Sequence, residues 1–152
     1  MDKIIICDID GTIAKKHPDR DIYDFTKCGW DIPIYETLGV LDKLTMYRED
    51  ANTVIDRILF ITGRMEIARN DTVKWIYNNV SIDYSNCCSY ELFMRKDGDT
   101  RPDEIIKHEI YETHIKDKYD IFAVFDDRPK VIRMWRELGL FVFDCNQTGI
   151  EF

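Results

Sequence analysis

The stretch "KIIICDIDGT" (residues 3–12) drives an isoleucine-rich apolar run straight into two aspartates, Asp8 and Asp10, with Gly11 and Thr12 directly behind them. A continuous apolar run without polar alternation predicts a strand covered on both faces, as inside a parallel sheet; periodicity alone leaves a short buried helix as the alternative. Similar runs recur at "RILFIT" (57–62), "SYELFM" (89–94, the weakest), "IFAVFD" (121–126) and "LFVFDC" (140–145). Between them lie helical patterns: 34–49 after Pro33, which suits a first helical position; 69–80, with Asn70 or Asp71 as N-cap; 101–116, acids early and a base late; and 128–139, from Pro129 near its start to Gly139 at its stop. Alternating strands and helices predict an α/β fold with a parallel sheet wrapped on both faces.

In such folds ligands bind beyond the carboxyl ends of the strands. Asp8, Thr62, Arg95 and Asp126 all fall at or just past predicted strand ends, so one sheet edge collects them. A turn after Asp8, which Gly11 favours, lets the carboxylates of Asp8 and Asp10 face a common centre. The fourth strand brings a second pair, Asp126 and Asp127. Crowded carboxylates need a cation between them or a proton on one, and an all-oxygen set suits Mg²⁺. Either pair alone reads as readily as a loop acid pair or a solvated helix start; two pairs at strand ends make those readings poor. "ITGR" (61–64) adds a hydroxyl at Thr62, a free backbone N–H at Gly63 and the guanidinium of Arg64, all donors for phosphate oxygens. Lys107 follows Asp103 by one helical turn, a spacing that predicts either an ordinary surface ion pair or an ammonium held toward the same edge.

The bulk numbers bound the class. The 152 residues suit one domain spanning 1–152, with 45% apolar and 12% aromatic residues. No apolar stretch is long enough to cross a membrane, and "MDKIII" lacks the form of a signal peptide, so a cytoplasmic protein is expected. Five cysteines without C-x-x-C spacing predict buried thiols rather than disulfides or zinc. A net charge of −8 argues against broad electrostatic binding to a polyanion, though a local basic patch remains open.

"DIDGT" (8–12), "ITGR" (61–64), Lys107 and "FDDR" (125–128) occur in the order and spacing of the four motifs of the haloacid dehalogenase superfamily, whose Mg²⁺-dependent phosphatases the chain resembles. The intervening "YDFTKC", "GDTRPDEIIKHEIYETHI", "DDRPKVIRMWRELG" and "GIEF" are similar to the 3′-phosphatase domain of phage-type polynucleotide kinase–phosphatases. The resemblance implies a Rossmann-like three-layer α/β/α sandwich with a mostly parallel five-stranded sheet and a small cap within 14–32. It also implies a Mg²⁺-dependent 3′-phosphatase working on DNA or RNA ends, with 2′ or cyclic phosphates as further substrates. By that resemblance Asp8 is the nucleophile that becomes an aspartyl phosphate, and Asp10 protonates the leaving hydroxyl and then activates water. Asp8, Asp10 (through its backbone carbonyl), Asp126 and Asp127 hold Mg²⁺. Thr62 and Lys107 hold the phosphoryl oxygens, with Asp103 orienting Lys107. Thr12, Gly63, Arg20, Arg64, Arg95 and Arg128 contact substrate; the match of Arg20 needs a one-residue shift, and the loop after Arg64 is shorter than in the relatives. No G-x-x-x-x-G-K-[ST] loop occurs, so a free-standing phosphatase without the kinase half is expected.

Residues 14–32 mix charge with Tyr23, Phe25 and Trp30, and read equally as a packed surface loop or a base-stacking platform. Trp75 and Trp135 sit in helical patterns and read as core; His17, His108 and His114 are scattered and read as no ligand set. Two other readings stay open: a phosphatase of free nucleotides or small metabolites, and an inactive module that binds nucleic-acid ends or a partner. A homodimer is neither indicated nor excluded.

Overall fold

The computed structural model describes residues 1–46, 52–81 and 88–152. Its elements in chain order are β1 (Lys3–Cys7), β2 (Ala14–Lys15), a 3₁₀ turn (Phe25–Trp30), β3 (Ile32–Pro33), α1 (Tyr35–Thr45), β4 (Arg57–Met65), a 3₁₀ turn (Glu66–Ala68), α2 (Arg69–Asn79), β5 (Ser89–Arg95), α3 (Asp103–Ile110) continued by a π turn (Tyr111–Ile115), β6 (Asp120–Asp126), α4 (Pro129–Glu137) and β7 (Val142–Asp144). The central sheet has five strands in the order β5-β4-β1-β6-β7, and every pairing in it is parallel. The expected α/β sandwich is therefore present, with β1 at its centre.

The alternation of side chains along β1 explains why its apolar run has no polar member. Ile5 and Cys7 enter one core with Ile58, Phe60, Phe125, Leu41, Trp75 and Ile76. Ile4 and Ile6 enter the other with Leu59, Ile61, Val124, Tyr111, Val131 and Trp135. One core lies under α1 and α2, the other under α3 and α4, so both faces of the strand are dry. β2 and β3 form a separate antiparallel clasp, pairing Ala14 with Pro33 and Lys15 with Ile32.

Several boundaries differ from expectation. Pro33 does not start α1; it pairs in β3, and the helix begins two residues later. Neither Asn70 nor Asp71 caps α2, because the 3₁₀ turn Glu66–Ala68 winds directly into the helix at Arg69. The third helix is α-helical only to Ile110, and its last turn widens so that the N–H of Lys116 reaches the carbonyl of Tyr111 at 2.9 Å. α4 follows the pattern, with Pro129 in its first turn and Gly139 at φ +80° just past its end, where the N–H of Leu140 closes onto Trp135. The last strand is shorter than its apolar run. The end of the first predicted helix beyond residue 46, and Cys87, lie outside the described residues. Among those described, Cys7, Cys28 and Cys88 are buried free thiols and Cys145 is half-buried, and no helix is long and apolar enough to cross a membrane.

Candidate active site

β1 ends at Cys7, and the next residue, Asp8, still donates its N–H to Phe125 on β6 at 2.9 Å. The chain then turns sharply: the N–H groups of Thr12, Ile13 and Ala14 all reach the carbonyl of Ile9. Gly11 stands in this turn at φ +80°, and a Cβ there would lie 2.0 Å from Oδ2 of Asp127. Only a glycine permits both that backbone angle and that approach.

Three carboxylates converge at the turn. Asp8, Asp126 and Asp127 each offer an oxygen within 4.8 Å of the others. Lys107, 2% exposed and rising from α3, donates to Asp8 Oδ1 and to Asp126 Oδ2, both at 2.8 Å. Thr12 holds the other oxygen of Asp8 at 3.1 Å, so the plane of that carboxylate is fixed from both sides. Asp126 is oriented in turn by the indole N–H of Trp135 at 3.2 Å and by the N–H groups of Asp127 and Arg128 at 2.9 and 3.3 Å. Burial, with the charges of Asp126 and Asp127 adding to it against the pull of Lys107, raises the Asp8 carboxyl well above the usual range. Burial and the Asp126 charge push Asp127 up to about 6. Lys107 is raised as well: burial works to lower an amine, but Asp126 and Asp8 outweigh that and keep it firmly protonated. This is a site short of positive charge, and its hard oxygen ligands can hold a small divalent cation.

Asp10 belongs to a different network. Its carboxylate takes a two-pronged grip from Arg64, Nε to Oδ2 at 2.9 Å and Nη2 to Oδ1 at 2.8 Å. Arg64 also donates to Asp31 at 2.8 Å and Thr72 at 3.1 Å. Asp31 receives a second fork from Arg20, at 2.8 and 2.9 Å, while the backbone carbonyl of Asp31 accepts the indole N–H of Trp75 at 2.7 Å. Burial opposes the charge of Arg64, yet its bonds to Asp10 raise its pKa further.

A third cluster lies at the ends of β4 and β5. Asp103 is bound by Arg95 and lies 3.2 Å from Arg128. It also sits so close to Gly63 that a Cβ on that residue would fall 2.6 Å from Oδ1. The expected Asp103–Lys107 pair is absent: two guanidinia claim Asp103, while the ammonium is drawn inward between two buried carboxylates, where a cation is needed more than on the helix surface. Thr62, fully buried within β4, accepts the N–H of Arg64 at 3.2 Å.

Of the four arginines that the resemblance assigns to the substrate, three are buried and already paired. Arg20, Arg64 and Arg95 are 3%, 1% and 8% exposed and are committed to Asp31, Asp10 and Asp103 and to backbone carbonyls. A guanidinium that deep in low-dielectric surroundings needs a carboxylate partner. Arg128 is the one with a partly open side chain, and it packs over the ring of Phe152 at 5.3 Å. Around all three clusters opens a cleft of about 1240 Å³, whose lining includes Asp8, Asp10, Gly63 and Asp127 together with Lys15, Tyr23 and Phe25 of the segment after the first turn. Asp31, Thr72 and the two indole N–H groups carry no motif; their partners lie 8 to 44 residues away, at separations without a helical or strand period.

Against known proteins, residues 2–149 match the model of the polynucleotide kinase PNKP phosphatase domain. The chain is 36% identical over 151 residues to a protein of Autographa californica nuclear polyhedrosis virus described as a bifunctional polynucleotide kinase/RNA ligase, an alignment that covers 99% of this chain and 20% of that protein. Among solved structures it is similar to a chain of the Pnkp1/Rnl/Hen1 RNA repair complex, with a TM-score of 0.77 and 30% identity over 94% of this chain and 42% of that one. A second structure of a Pnkp1/Rnl/Hen1 complex gives a TM-score of 0.76 and 29% identity over 93% and 45%. The chain thus spans about a fifth of the viral relative and under half of each structural match.

Proposed function

The chain belongs to the polynucleotide kinase phosphatase-domain family, whose members are phosphatases of the haloacid dehalogenase type, and from that membership we propose that it is a Mg²⁺-dependent phosphatase that removes 3′-phosphates from nucleic-acid ends. The observation that carries this reading is the meeting of Asp8, Asp126 and Asp127 around the Lys107 ammonium at the carboxyl end of the sheet.

The fit to a divalent cation rests on the chemistry of that set. Three carboxylates against one ammonium leave two formal negative charges in a buried place, and the raised pKa values of Asp8 and Asp127 express the same deficit. Asp8, Asp126 and Asp127, with the Asp10 backbone, would hold Mg²⁺. Bound there, the ion supplies positive charge that softens the approach of an anionic nucleophile to an anionic ester.

The rest is done by side chains. An oxygen of Asp8, its carboxylate plane held by Thr12 and Lys107, attacks phosphorus as the bond to the 3′ oxygen breaks, and Asp10 gives that oxygen its proton. Water then attacks the aspartyl phosphate, passes a proton to Asp10 and releases inorganic phosphate, restoring Asp8. Asp10 suits the double role because its side chain is 44% exposed to the cleft while Arg64 fixes its orientation. Thr62, the Gly63 N–H and Lys107 steady the phosphoryl oxygens. Uncatalysed phosphate-monoester hydrolysis is so slow that enzymes accelerate it by up to ~10²¹-fold, most of it through positioning and charge.

The test is phosphate release from matched 3′- and 5′-phosphorylated DNA and RNA oligomers, with parent protein and Asp8→Asn, with and without a chelator. The parent should release 3′-phosphate in Mg²⁺ alone and Asp8→Asn none. Release by Asp8→Asn at the parental rate would defeat the nucleophile assignment, and equal or faster hydrolysis of a mononucleotide would defeat the polynucleotide substrate.

A further inference from the structure

Of the large aromatic side chains near the cleft, Tyr23 stands apart. It lines the cleft, is 80% exposed, and its ring and hydroxyl have no hydrogen bond or ring contact among the described residues. Trp30, from the same segment, is occupied by comparison: it meets His17 edge-on at 6.0 Å and carries Lys27 over its ring at 5.6 Å.

The backbone that carries Tyr23 is held in place. Arg20, anchored by its fork to Asp31, donates Nη1 to the carbonyls of Asp21 and Ile22, both at 3.3 Å. The side chain of Asp21 accepts the N–H of Tyr23 at 2.9 Å, and the carbonyl of Tyr23 accepts the N–H of Phe25 at 3.1 Å, with Phe25 packed on the core. A tyrosine displayed almost fully to water on a pinned turn does nothing for the fold that a small polar residue would not do. The cleft lining also includes Ile22 at 58% and Ile32 at 42% exposed, which add apolar surface to it. The same cleft holds the exposed Lys15, the half-buried Arg128 and the carboxylate cluster. One cleft thus offers an apolar, aromatic surface beside cationic groups, which is the complement of a single strand with its bases on one side and its phosphates on the other.

We propose that Tyr23, in a cleft whose lining also holds Ile22 and Ile32, seats a nucleobase from the last two nucleotides of a single-stranded 3′ end, an inference that rests on the 3′-phosphatase reading and names the residue that makes the site prefer a strand over a bare phosphate ester. The backbone that carries the ring is pinned before substrate arrives, so little main-chain ordering is lost on binding. Stacking of one base on an aromatic side chain accounts for roughly 1–3 kcal/mol, or about five- to 150-fold in kcat/KM.

The experiment compares two 3′-phosphorylated DNA tetranucleotides, one with all bases and one with its last two nucleosides abasic, in the parent, Tyr23→Ala, Tyr23→Trp and Tyr35→Ala. Tyr35 is a comparably exposed aromatic outside this cleft. The parent should favour the base-bearing strand at least fivefold, Tyr23→Ala should bring that ratio to within about twofold of one, and Tyr23→Trp and Tyr35→Ala should keep it. A ratio unchanged in Tyr23→Ala overturns the inference even if both rates fall, since a structural defect lowers both alike; so does a parent without preference. A parent that hydrolyses a small phosphate ester but neither tetranucleotide defeats the 3′-end reading itself.

Discussion

Removing the carboxylate of Asp31 leaves two interior guanidinia short of a partner, and the cost can be worked from the geometry. Arg20 loses both members of its fork, at 2.8 and 2.9 Å, and keeps carbonyl contacts at 3.3 Å and Asp10 at 3.9 Å; Arg64 loses one bond of 2.8 Å and keeps Asp10. Both guanidinia and Asp31 are 3% exposed or less, so water cannot stand in. Breaking a buried ion pair by removing one partner costs about 3–5 kcal/mol. In a chain of this size each kcal/mol lowers Tm by roughly 2–4 °C, so Asp31→Ala should melt about 6–20 °C below the parent. The stranded charge, not the lost volume, is the cause, and a second substitution separates the two: Arg20→Met on top of Asp31→Ala removes a cation left with only Asp10 at 3.9 Å and should recover part of the lost Tm. Phosphatase activity should fall at least about tenfold in both variants, because Arg64 no longer has its second anchor when it grips Asp10. Differential scanning calorimetry with a phosphate-release assay reads both effects. An Asp31→Ala protein melting within about 2 °C of the parent, or a double variant melting below the single one, would refute the argument.

Gly11→Ala should cost about 1–2 kcal/mol for the left-handed backbone angle alone, and its new methyl, placed 2.0 Å from Asp127 Oδ2, must displace that carboxylate; the Mg²⁺ concentration for half-maximal rate should rise at least about tenfold, and an unchanged metal requirement would show that Asp127 is not a ligand. Lys107→Met leaves Asp8 and Asp126 without their shared ammonium, so turnover should fall by at least about a hundredfold while the rise in Tm on adding Mg²⁺ becomes larger than in the parent, since the carboxylates then have only the metal to neutralise them; equal gains in the two proteins would sink this.

What the sequence made legible and what it hid divide along one physical line. Asp8, Thr62, Arg95 and Asp126 could be placed at one edge because a parallel sheet puts all its carboxyl ends together, whatever the side chains then do. Their partners could not be placed. The i,i+4 rule paired Lys107 with Asp103, but that rule describes a solvated helix surface, and Lys107 is buried. Asp31 lies 11 residues from Arg20 and 33 from Arg64, separations with no sequence periodicity to expose them. Pro33 and Asn70 misled for a similar reason: an antiparallel clasp and a 3₁₀ entry satisfied backbone groups that local propensity had assigned to helix starts. Once the pairs are known, formal charge orders the site better than the motifs do. Asp8, Asp126 and Asp127 with Lys107 carry two net negative charges, the complement of one divalent cation. Asp10 and Asp31 with Arg64 and Arg20 are neutral, so the second aspartate of "DIDGT" has its own guanidinium partner and takes no share of the Lys107 ammonium. Asp103 with Arg95 and Arg128 carries one net positive charge at the cleft wall. A gradient from anionic cluster through neutral acid to cationic wall is what a phosphate ester needs in order to be held by its charge on one side and opened by a nucleophile on the other.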